Sequence, residues 1–302
     1  MLPVFGMLPG SAGPLDLNTV QARAAKGDAE AEYELGRAYH LGHGVPKDYA
    51  KAASLYRQAA AQGNAKSMYN LGYIYLHGQG VSPDGAAAAP WFQKAADLGL
   101  PAAQLQMGLY YYFGDMGLSQ DYPAADKWLT LAVQHENTPQ MAPAANALGA
   151  MNEHGFGMPI DRKKAVEWYT KAAESGDPRA QSNLGRIYDE GILIPKDKIQ
   201  AFMWLKLAAD RNDLLASHLL PEYLAGKEFS PAEIQEGKSR ADDYETKHHL
   251  PHVSTLPLMA TPTAPPPASV PAPAAHSNSP PSSSQISKSD GSVPSPSSPV
   301  QK

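Results

Sequence analysis

The clearest hydrophobic pattern in the chain is Leu35-Gly36-x-x-Tyr39, which recurs as Leu71-Gly72-x-x-Tyr75, Met107-Gly108-x-x-Tyr111, Leu148-Gly149-x-x-Asn152 and Leu184-Gly185-x-x-Tyr188. Residues at i, i+1 and i+4 share one helical stripe, so the pattern supplies a packing knob, a close-approach notch and a bulky filler. Glycine costs about 1 kcal/mol inside a helix, so five at one site point to contact with a neighbouring helix. The intervals between the leading residues are 36, 36, 41 and 36, the signature of a repeat architecture. Twenty residues after the leading residue stand Leu55, Trp91, Trp168 and Trp204, with Trp128 displaced by one in the third repeat. Because they recur with the repeat, the tryptophans are expected in the core. Alanine pairs follow at 59–60, 95–96, 172–173 and 208–209.

Turn chemistry divides each unit in two. Gly42-x-Gly44, Gly78-x-Gly80 and Gly155-x-Gly157 permit a tight turn, and Asp48, Asp84 and Asp161 then stand where a helix N-cap belongs. Gly63, Gly99 and Gly176 take the left-handed stop after the second helix. One unit therefore reads as helix A, a Gly-rich loop, helix B and a Gly stop. These residues resemble the Sel-one-like repeat family, a relative of the tetratricopeptide repeat, over about residues 16–212. The resemblance implies an all-α fold, a right-handed α-solenoid of five helix–turn–helix repeats whose A helices line the concave wall. It also implies a scaffold that holds protein complexes together, in bacterial signalling, envelope or secretion settings. Asn152 in place of Tyr, Leu193 where a loop glycine is due and the long third interval depart from the pattern.

The ends read differently. Residues 16–26 predict a lone B-type helix covering the first repeat, and 213–225 a last A-type helix. Ser230-Pro231-Ala232-Glu233 is a capping box with proline at the first helical position, opening a polar helix to about His248. Residues 213–250 thus form a helical cap. Residues 251–302 contain 13 Pro and 13 Ser with no aromatic, too little apolar area to offset ordering entropy, so disorder is expected there. Residues 1–15 are expected to be a flexible lead-in. As written the chain is expected in the cytoplasm; with a start further upstream, residues 2–13 become the rear of a signal peptide and the expectation changes to periplasmic or secreted.

Charge and composition narrow the function. A formal net charge of −5 leaves no basic footprint for nucleic acid. No apolar run is long enough to span a bilayer. The absence of cysteine excludes disulfides, thiolate metal sites and cysteine nucleophiles. Neither Ser-x-x-Lys, Lys-Thr-Gly nor a Gly-x-Ser-x-Gly elbow occurs, which disfavours a β-lactamase-like or other serine enzyme. His40-x-x-His43 lacks a third ligand fixed by sequence and reads as surface histidine. No cofactor is implied, and oligomeric state is not legible.

What remains is a binding surface. Positions −5, −2, +2, +5 and +6 from each leading residue share a second stripe of helix A. It carries Tyr33, Arg37 and His40 in repeat one, Tyr69, Tyr73 and His77 in repeat two, and Leu109, Tyr112 and Phe113 in repeat three. Repeats four and five add Glu153, His154, Arg186 and Asp189. An aromatic patch thus grades into a charged end. The expected function is a non-enzymatic adaptor that grips a peptide or a partner's helix, with tyrosines as anchors and Arg37 or Arg186 pairing carboxylates. An exported regulator of a sensor protein is the alternative.

Overall fold

The computed structural model describes residues 16–136, 138–225 and 229–248; the expectations for residues 1–15 and for the Pro/Ser-rich tail lie outside them. Among the described residues there are helices and no strands. The first is α1 (Leu17–Ala24), followed by five pairs: α2 (Ala29–Leu41) with α3 (Tyr49–Ala61), α4 (Ala65–His77) with α5 (Gly85–Asp97), α6 (Pro101–Phe113) with α7 (Tyr122–Val133), α8 (Met141–His154) with α9 (Arg162–Glu174), and α10 (Pro178–Glu190) with α11 (Lys198–Ala209). Then come α12 (Leu214–Ala225) and α13 (Pro231–His248). From α2 to α10 each A helix packs on the B helix that follows and the one that precedes it, and α12 and α13 both pack on α11. The protein is an all-α solenoid.

Local chemistry sets each helix start. The side chains of Asp48, Asp84, Asp121, Asp161 and Asp197 each accept a backbone N–H of the first turn of a B helix. Each of these aspartates also donates its own N–H to the carbonyl of the last residue of the repeat motif: Asp48 to Tyr39 at 2.9 Å, Asp84 to Tyr75 at 2.8 Å, Asp161 to Asn152 at 2.9 Å. That position is therefore tied to the loop through its backbone, which explains why Asn152 can replace tyrosine there. Its buried side-chain amide is satisfied by donating to the Leu148 carbonyl at 2.7 Å. At α13, Ser230 N–H donates to Glu233 Oε2 at 2.7 Å and Glu233 N–H to Ser230 Oγ at 3.3 Å, the reciprocal bonds of a capping box.

Each notch glycine meets a large side chain of the B helix that follows it. A Cβ on Gly72 would stand 2.9 Å from the Phe92 ring, on Gly149 2.7 Å from Tyr169, and on Gly185 2.5 Å from Leu205 Cγ. Gly36 and Gly108 face Tyr56 and Leu129 in the same way. The side chain inserted against helix A is thus the neighbour of the tryptophan position, and all five inserted residues are fully buried. Trp128 and Trp204 are buried, but Trp91 and Trp168 are only half-buried, with Lys94 and Lys171 ammonium groups over their rings at 4.9 and 5.9 Å. One residue is a rotation of about 100° on a helix, enough to turn a ring from the A/B seam toward the edge.

The second loop glycine couples successive repeats. Gly80, at φ 76°, would place a Cβ 3.0 Å from Tyr49 Cβ, and Gly157, at φ 72°, would place one closer still to Tyr122 Cβ. Tyr49 and Tyr122 open the B helices of the preceding repeats, so each loop lies on the previous helix start. In the third repeat the extra loop residue places Met116 in the left-handed region, at φ 59°.

Candidate protein-binding surface

The stripe expected to face a partner divides into three parts. In repeats one and two, Tyr33 is half-buried, 6.1 Å from the Tyr56 ring, with the Lys66 ammonium 5.3 Å over it. Tyr73 is also half-buried, its ring 5.8 Å from Tyr69 and 4.5 Å from the exposed His77. Two residues assigned to this surface are instead packing residues. Tyr69 is buried edge-on against Phe92 at 5.3 Å, and burial pushes its hydroxyl pKa upward. His40 is buried edge-on against Tyr49 at 5.4 Å. Arg37 is half-buried and makes no ion pair among the described residues.

Burial, and secondarily Lys47, holds His40 below the ordinary histidine value of 6.5. The unfolded chain therefore takes up the proton first. Stability from this group is complete above that ordinary value, falls as pH drops through it, and levels off below the depressed folded value. His40→Phe keeps a ring and removes the titration. Between roughly pH 7.5 and 5 the wild type should lose more melting temperature than the variant. Parallel pH profiles for the two would show that His40 protonates freely in the fold.

In repeats three and four the aromatics gather at the loop edge. Tyr112 lies edge-on to Phe113 at 4.8 Å, and to Tyr122 and Phe156 at 5.9 Å each; Tyr122 and Phe156 stack at 5.1 Å. Burial, then Tyr122, pushes the Tyr112 hydroxyl up to about 12. Phe113 is 64% exposed, an unusual setting for a phenylalanine. Leu109 is half-buried against the core. Tyr122 and Phe156 belong to this cluster but were not identified from sequence. Tyr122 could have been, because it occupies the first helical position after the N-cap aspartate, as Tyr49 does in repeat one.

The charged end is internally paired. Arg186 Nη2 meets Glu153 Oε1 at 2.7 Å and Arg186 Nη1 meets Glu190 Oε2 at 2.9 Å. The Tyr169 hydroxyl donates to Glu153 Oε2 at 2.8 Å, and Asn183 donates to Asn146 at 3.0 Å, joining α10 to α8. Asp189 pairs with Lys196 at 3.2 Å, and His154 is exposed. Arg186 and Glu153 are therefore a link between neighbouring A helices, and the expectation that Arg186 is available for a partner's carboxylate is corrected. Among the described residues no three His, Cys, Asp or Glu side chains converge as a metal site requires, and no helix is long and apolar enough to cross a membrane.

The Sel1 repeat profile matches residues 29–64, 65–100, 101–137, 142–177 and 178–213, more than half of the chain. The chain is similar to a crystallised Sel1 repeat protein from Oxalobacter formigenes, at 27% identity and a TM-score of 0.61, over 78% of this chain and 99% of that one. A protective antigen of uropathogenic Escherichia coli with an SLR fold shares 24% identity at a TM-score of 0.52, over 77% of this chain and 56% of that one, a likeness of fold alone. No curated protein matches the sequence. Five matched repeats, each with its capped B helix and glycine notch, establish that the chain belongs to the Sel1 repeat family.

Proposed function

We propose that the protein is an adaptor whose A-helix face binds a peptide or helix of a partner protein. Sel1 repeat proteins are generally protein-interaction scaffolds. The observation that favours this face is the exposed Phe113 ring, set edge-on to Tyr112, which in turn packs against Tyr122 and Phe156, at the end of a stripe that also carries Tyr73. An exposed aromatic supported by other aromatics is the composition of an interface anchor: rigid, amphipathic and inexpensive to order.

The test is a photo-reactive residue at position 113, cross-linking in cells, and identification of what is captured. With the partner in hand, Phe113→Ala and Tyr73→Ala should each weaken binding by about 1–2 kcal/mol, roughly tenfold in affinity. Phe113→Ala should leave the melting temperature unchanged, since the ring makes little buried contact. A partner that binds both variants with wild-type affinity places the functional surface elsewhere.

A further inference from the structure

The two arginines at the same repeat position have opposite surroundings. Arg37 and Arg186 each stand two residues after the leading leucine of their repeat, Leu35 and Leu184. Arg186 is held by two carboxylates: Glu190, one turn on along its own helix, and Glu153, from the preceding A helix. Arg37 has neither. The residue one turn on is Leu41, and α2 is the first A helix, preceded by the B-type α1. Glu34, nearly one turn back, forms no ion pair with it among the described residues. Arg37 is half-buried, and Tyr33 stands one turn back on the same helix. A guanidinium in that setting gains from a carboxylate more than a fully solvated one, because the attraction is less screened and the fork geometry is matched.

We propose that Arg37 is a carboxylate-docking residue and that the partner is an acidic peptide segment, whose carboxylate takes beside Arg37 the place that Glu153 takes beside Arg186. The inference rests on the adaptor reading and adds the partner's charge.

A phage-displayed dodecapeptide library selected on the full chain tests this while the cellular partner is still unidentified. Selected peptides should be enriched in Asp and Glu next to an aromatic or aliphatic residue. A labelled synthetic copy should bind about tenfold more weakly to Arg37→Gln, with partial recovery in Arg37→Lys. Arg240→Gln, which removes the same charge from α13, should bind like the wild type, and Arg37→Gln should keep the wild-type melting temperature. Peptides that lose affinity with Tyr73→Ala but show no acidic bias, or ignore Arg37→Gln, overturn this inference and leave the adaptor reading standing. Peptides indifferent to Tyr73→Ala as well, or no enrichment at all, overturn both.

Discussion

Phe92→Ala is expected to destabilise the protein by about 3–5 kcal/mol, measured as a fall in the denaturant midpoint at unchanged slope. Phe92 is fully buried, and its ring fills the notch that Gly72 leaves in α4, with Tyr69 and Tyr110 at 5.3 and 5.8 Å between ring centroids. Removing it opens a cavity between a backbone that cannot close in and two aromatics fixed by their own packing. Trp91→Ala removes a larger side chain one residue away and should cost clearly less, because Trp91 is half-buried and its outer face meets the Lys94 ammonium. The converse change should also hurt. Gly72→Ala sets a methyl 2.9 Å from the Phe92 ring, and such overpacking costs about 1–3 kcal/mol despite alanine's better helix propensity. If Trp91→Ala proves as damaging as Phe92→Ala, the seam between the helices of a repeat is filled by the tryptophan position after all. If Gly72→Ala is neutral or stabilising, the notch is not a contact.

That comparison also marks where the sequence is legible. The capping aspartates, the left-handed glycines and the capping box at Ser230 are readable because cap chemistry is confined to three or four neighbouring residues. The inserted residue is harder to read, because two adjacent positions of helix B both recur as large side chains. Recurrence fixes a position in the repeat but not its rotation toward helix A. Residue type does not separate the two, since Leu55, Trp91, Trp128, Trp168 and Trp204 stand at one position and Tyr56, Phe92, Leu129, Tyr169 and Leu205 at the next. At the binding face, residue types and stripe are legible, but pairing is not. Arg186 meets Glu153 across 33 residues of chain, and only the stagger of α10 against α8 brings them together. For the same reason His40 and Tyr69 fall on the expected stripe and yet are enclosed, since the stripe says which way a side chain leaves its helix and not how closely the next helix lies.

The second large effect is expected at the end of the array. Arg211, in the turn between α11 and α12, pairs with Glu245 of α13 at 3.0 Å, and both side chains are only 7% exposed. The same Arg211 Nη1 donates to the Leu207 carbonyl at 2.9 Å, so the guanidinium is fixed to the end of α11 before α13 arrives. Arg211→Ala leaves a buried carboxylate without its guanidinium, and breaking such a pair from one side costs about 3–5 kcal/mol. The loss should concentrate in the cap. The rest of the α13 contact includes the Trp204–Tyr244 edge at 5.1 Å and Phe202 against Gly237, so amide exchange across 231–248 should accelerate well before that of α4 or α5. The pair's net worth is a separate matter, because desolvating two charges offsets most of their attraction. Arg211→Met combined with Glu245→Leu should therefore recover most of the stability that Arg211→Ala loses. A loss below about 1 kcal/mol for Arg211→Ala would mean that water reaches the pair as it does a surface salt bridge, and that apolar contacts alone hold α13 in place.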